Sequence, residues 1–288
     1  MISIVSKSFD RKTTEIVENG DDSVMKIKRE NLNYLYKMNR LQIEALQRKG
    51  CGIAFIPMGP TEVHGPHLPL MTDITSGLEL AERAAYKLRA EGIESIIATP
   101  VTYCHADVTN CFAGNTSLRT ETVTMLIEDI CLSLARAGFV YIVVTSGHAD
   151  PSNAAAVQQG FENAKTKDPR IKALHSDWFT MGIVEGRAAQ AFAGKHPEWD
   201  LHAGESETAF NMMRNPELLD MVQIKKLPPN YEGEFLFPRI GAGAADFLEC
   251  GAPDAYFGDP AVATAENGDR QYDIFSDIIV GEVKTLIS

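Results

Sequence analysis

No run in this 288-residue chain is long and apolar enough to span a membrane, and its first residues, Met1 to Phe9, lack the apolar core of a signal peptide. Positive charge is scarce. Lys and Arg number 27 against 39 Asp and Glu, so the formal charge is −12 and nucleic acid or an anionic membrane makes a poor partner. Cysteine is scarce too. Cys51, Cys104, Cys111, Cys131 and Cys250 are odd in number and show no Cys-x-x-Cys spacing. That argues against a thiolate zinc site and predicts a reduced, cytoplasmic protein. Internal repeats and low-complexity tracts are missing. Neither Gly-x-Gly-x-x-Gly nor a Walker loop is present, so no nucleotide phosphate cradle is indicated. Ile240 to Ala244 is glycine-bearing but follows no clear strand.

What is present is a chain long enough for one large domain with a buried core. Residues 1–28 are polar and read as a peripheral N-terminal arm, leaving residues 29–288 as the main domain. A helical pattern from 29 to 49 (Leu32, Leu35, Leu41, Ile43) leads into the apolar run Ile53 to Pro57, which reads as a parallel strand buried on both faces. Helix is predicted over 77–91, strand over 93–101, helix over 121–137 and strand over 139–145. Helix over 153–165 and a strand near 171–175 follow. A shorter helical run covers 209–214, and the Gly- and Pro-rich region 228–259 reads as ordered loops. Regular alternation of this kind argues an α/β fold with a mainly parallel sheet.

Acids and imidazoles concentrate after the strands. Glu62, His64, His67 and Asp73 lie within twelve residues, just beyond the first strand. His148 and Asp150 follow the third strand, and His202, Glu205 and Glu207 precede the run at 209. Open α/β sheets bind ligands at the carboxyl ends of their strands, and mixed imidazole and carboxylate sets hold divalent metals. Each residue also has an ordinary reading. Asp73 and Asp150 could cap helices, Glu205 and Glu207 could be first-turn acids, and His148 and His202 could be satisfied loop histidines. A metal site here would make the protein a hydrolase, because bound water becomes acidic enough to attack a carbonyl at neutral pH.

The segments resemble the creatininase (creatinine amidohydrolase) family. Its first motif is matched by Pro57-Met58-Gly59-Pro60-Thr61-Glu62-Val63-His64-Gly65-Pro66-His67-Leu68-Pro69, then Thr72-Asp73. The second is matched by Ala113 to Leu118, the third by Ser146-Gly147-His148, and the fourth by His202 to Ala209. Gly258 to Ala265 is similar to the family's closing segment. The resemblance implies a three-layer α/β/α sandwich and a pair of divalent ions, zinc or manganese first, with iron and magnesium also compatible. It also implies a homo-oligomer, usually a hexamer. It implies that Glu62, Asp73 and His148 hold one ion and that His64 and Asp73 hold the other, with Asp73 bridging. Asp150 or Glu207 would complete the second site, and His202 would handle protons at the substrate. The implied activity is attack of a metal-bound hydroxide on the carbonyl of a small cyclic amide. Other readings keep the centre and change the substrate: a formamide or lactam intermediate, or a cyclic diketone cut at a C–C bond. An inert structural or regulatory relative is the reading from another class, and intact His202 argues against it. A two-metal phosphohydrolase would want a basic residue, and only Arg119 lies beside a motif. Pro60, Val63 and Ser146 depart from the family's Ser, Gln and Asn. Trp178 lies near the place of a substrate-covering tryptophan, although core packing is its simpler role.

Overall fold

The computed structural model describes residues 27–288. All but the last two residues of the arm expected over 1–28 therefore lie outside the described residues. Four parallel strands form one sheet in the order β2-β1-β3-β4, with β1 at Ile53–Met58, β2 at Ser95–Ile97, β3 at Tyr141–Ser146 and β4 at Lys172–His175. The helices are α1 (Arg40–Arg48), α2 (Thr72–Ala90), α3 (Thr120–Arg136), α4 (Pro151–Lys167), α5 (Glu205–Arg214), α6 (Met221–Ile224), α7 (Leu236–Gly241) and α8 (Ala265–Ile287).

The layering follows from strand alternation. Successive side chains of a strand face opposite sides, so each apolar strand feeds two cores. Ala54, Ile56, Met58, Ile142 and Val144 pack with Val123 and Ile127 of α3 and Val157 and Phe161 of α4. Ile53, Phe55 and Val143 face the other way, toward Leu80, Ala84 and Leu88 of α2 and Phe275, Ile279 and Val283 of α8. This is the α/β/α sandwich that the sequence reading expects. Burial of each large side chain stabilises it by about 1.5–3 kcal/mol.

Three expectations are corrected. The helix predicted over 29–49 forms only at Arg40–Arg48, behind a capping box between Asn39 and Gln42. Residues 29–38 instead take two 3-10 turns and run along the sheet edge, where Ile97 N donates to the Asn33 carbonyl and Tyr34 bridges Ile97. Pairing to β2 outweighs helix propensity there. The strand predicted over 93–101 shortens to Ser95–Ile97, although Val101 still bridges Met58. The region 228–259, expected as loops, carries the short helix α7 and the 3-10 turn Glu232–Phe235 before it. In addition, α8 is a 23-residue helix that the sequence reading did not assign. Thr264 caps it, and Tyr272, Phe275, Ile279 and Val283 bury one stripe.

Helix α2 starts at the carboxyl ends of β1 and β3. A side chain on Gly59 would put its Cβ 2.6 Å from the Asp73 carbonyl oxygen, and one on Gly147 would meet the same backbone. Both glycines permit an approach that fixes Asp73 beside the strand ends.

Candidate metal centre

The loops after β1 and β3 and the first turns of α2 and α5 converge on one buried point. Glu62, His64, Asp73 and His148 are all buried there. His148 Nδ1 lies 2.9 Å from Glu62 Oε2 and 3.3 Å from Asp73 Oδ2. His64 Nε2 lies 2.9 Å from Asp73 Oδ1 and 3.5 Å from Glu207 Oε1. Three triads result, Glu62–Asp73–His148, His64–Asp73–Glu207 and Glu62–His64–His202, and within each the donor atoms lie within 4.8 Å of one another. Asp73 belongs to the first two, through different oxygens.

Each imidazole is oriented from behind. His148 Nε2 lies 3.0 Å from the His105 carbonyl, and His64 Nδ1 lies 3.1 Å from the Glu62 carbonyl. A carbonyl accepts only, so those nitrogens carry the protons and the opposite nitrogens face the carboxylates. This arrangement is typical of metal-binding histidines. With His148 Nδ1 bare, Glu62 Oε2 and Asp73 Oδ2 are buried and accept no hydrogen bond among the described residues. A buried carboxylate oxygen in that state calls for a cation. Burial acts to lower the His148 and His64 pKa values, but the facing carboxylates outweigh it and hold both well above the ordinary value. Asp73, although burial opposes it, is held well below the usual carboxylate range by His64 and His148. With neutral imidazoles, three carboxylates meet at one point. The donor set fits divalent metal.

The supporting residues explain the other motifs. Thr109 Oγ1 donates to Glu62 Oε1 at 2.7 Å, and Asn115, from the second motif, donates to the Ala106 carbonyl beneath it. Ser146 Oγ accepts from His148 N and donates to the His148 carbonyl, shaping the turn that carries the ring. Asp200 accepts from Glu205 N and Ser206 N at the start of α5, and burial pushes its carboxyl up to about 8 against those two donors. Ala203 sits at φ 48°, a left-handed conformation uncommon for alanine, and its N–H donates to Glu207 Oε2 at 2.5 Å.

The remaining candidates separate. Asp150 is buried nearby but joins none of the triads. Its Oδ1 accepts from Asn153 N at 2.7 Å and caps α4. Glu205 also stands apart, accepting from Ala193 N and Gly194 N. His202 lies against His64 with ring centroids 4.2 Å apart and the planes tilted by 31°, and its Nε2 lies 2.8 Å from the Val63 carbonyl. That contact leaves Nδ1 as the proton acceptor. Burial, then the His64 ring, push the His202 pKa below its ordinary value. Trp178 is core. Its Nε1 donates to the Ser146 carbonyl at 2.8 Å, and its ring packs on Phe275 at 4.7 Å. Thr109 and the carbonyls of His105 and Val63 were not singled out from the sequence, because backbone acceptors and a lone threonine carry no motif signal.

Residues 36–283 match a family model described as creatinine amidohydrolase. The mycofactocin precursor peptide peptidase of Mycolicibacterium smegmatis (strain ATCC 700084 / mc(2)155) is 27% identical over 233 residues, covering 80% of this chain and 82% of that protein. The creatinine amidohydrolase of Pseudomonas putida is 26% identical over 204 residues, covering 65% and 74%. Among solved structures, a manganese creatininase superposes with a TM-score of 0.72 at 20% identity, covering 88% of this chain and 98% of that one.

Proposed function

The chain belongs to the creatininase family, and from that premise we propose that it is an amidohydrolase that cuts a C–N amide bond at a pair of divalent ions. The observation that carries this reading is the pair of carboxylate–imidazole triads sharing Asp73. Glu62, Asp73 and His148 would hold one ion, and His64, Asp73 and Glu207 the other. Manganese and zinc suit this donor set best, and a solved relative is a manganese form. When bound, such a pair supplies Lewis acidity, polarising the carbonyl and making water at the site more acidic.

The chain's own residues do the rest. Thr109 holds the Glu62 carboxylate in place, and the His105 carbonyl holds the His148 ring. Hydrolysis adds the hydroxyl of a water to the carbonyl carbon and its proton to the leaving nitrogen. His202, neutral and bare at Nδ1, takes the proton and delivers it to that nitrogen. The Val63 carbonyl keeps the ring in the tautomer this requires.

Two amide classes come into question. A small cyclic amide is the substrate implied by the creatininase resemblance. An acyclic peptide amide is favoured by the peptidase relative. An assembly of identical chains in a reduced cytoplasm, with no nucleic acid or membrane partner, completes the proposal. Among the described residues, no helix is long and apolar enough to cross a membrane.

The test is to strip the protein with chelator, reload it with Mn²⁺ or Zn²⁺, and assay creatinine, small lactams, formamides, cyclic ketones and short peptides. Metal-dependent release of an amine is expected. Equal activity in the stripped protein, or C–C cleavage of the ketones alone, contradicts the proposal.

A further inference from the structure

Three spaces adjoin the centre: a small one walled by Asp73, His148, His202, Glu207 and Trp178, and two larger ones of different character. Of the larger two, the first is a chamber that has Glu62, His148 and His202 on one wall. Its opposite wall is apolar, built from Val108, Leu236, Phe237, Ile240 and Phe247. The second is an open groove running past the first turns of α4 and the segment after β4, with Trp178 on its wall. His148, Phe179 and Phe237 line both spaces, so the groove enters the chamber directly beside the candidate metal ligands.

The two walls differ in rigidity. Phe247 is buried, edge-on to His202 at 5.0 Å and to Phe257 at 5.1 Å. Phe237 stands at the junction with 43% of its surface exposed, an apolar face left in water where the two spaces meet. Charge completes the picture. No lysine or arginine lines the chamber or the groove, whereas Asp150 lines the first and Asp177 the second. Away from the candidate metal ligands, an anionic group would meet like charge there.

Resting on the amidohydrolase reading, we infer that the substrate is an acyclic amide chain lying in the groove, with a bulky, uncharged apolar group beside the scissile bond seated between Phe237 and Phe247. A compact polar ring would leave the groove empty and the apolar wall without a partner. An extended peptide uses both, its backbone running past His148 and its apolar side chain leaving water.

The experiment uses the metal-loaded full chain and blocked tetrapeptides Ala-Ala-Xaa-Ala, with Xaa Phe, Leu, Gly, Lys or Asp. Creatinine and a small lactam run alongside, and products are read by mass. The inference expects kcat/KM for Phe and Leu about tenfold or more above Gly, with Asp the poorest. It also expects the Phe-over-Gly ratio to fall about tenfold in Phe237→Ala and in Phe247→Leu, with metal content unchanged. Equal rates across the series, or a ratio that survives both substitutions, overturns it. Turnover of creatinine or lactam with no peptide cleaved overturns it too, yet leaves the amidohydrolase reading standing. A fully metal-loaded protein that cuts no amide at all defeats that reading itself.

Discussion

Asp73 meets two demands with one carboxylate: Oδ1 faces His64 and Oδ2 faces His148. Glu207 and Asp150 separate on the same kind of detail. Both follow a motif histidine, and spacing alone left either able to complete the second triad. The structure gives Asp150 a cap to make and brings Glu207 to His64, through an Ala203 backbone turn that no spacing announces. Glu207→Gln is therefore expected to bind one ion fewer per chain, while Asp150→Asn retains both, since asparagine caps a helix as well as aspartate does. Elemental analysis of the two purified variants decides between them. His202→Ala is expected to keep its metal and lose about 10²–10⁴-fold in turnover, read as kcat on the best amide of the panel. Wild-type turnover in that variant removes the ring from proton transfer.

At the scale of elements, the site depends on where α2 and α5 begin. Gly147 admits the Asp73 backbone, so Gly147→Ala is expected to displace the first turn of α2. The expected cost is about 1–3 kcal/mol in stability, together with weakened metal binding; both are checked by melting and by metal titration. The start of α5 carries a pH signature. An unfolded aspartate titrates near 3.8, whereas Asp200 is pushed up to about 8 in the fold. Between those values the native state holds a proton that the unfolded chain has released, so this group's contribution to stability falls as pH rises and is flat above about 8. Melting curves of wild type and Asp200→Asn across pH 4–8 should therefore converge or cross in favour of the variant as pH rises; a constant difference refutes this. Strands buried on both faces and long amphipathic helices were legible because their periodicity is local. The edge segment 29–38 was not, because its structure comes from pairing with β2. Helix α8 was overlooked although its apolar spacing at Tyr272, Phe275, Ile279 and Val283 is regular.

For the whole molecule, the sheet brings three distant segments to one edge, and the segments carrying the acids and imidazoles meet there. Which residues cluster could be read from motif order. What the chamber accepts could not, because its apolar wall comes from Val108, α7 and Phe247, far apart in sequence and joined only by the fold. The central claim is that one carboxylate ties two cations into a single centre. Metal content of wild type and Asp73→Ala, prepared side by side after identical reloading and counted per chain by mass spectrometry, tests it most directly. About two ions in the wild type and essentially none in the variant is the expected result. Unchanged stoichiometry in Asp73→Ala would show that the two triads do not share a bridge, and the account of the site would fail with it.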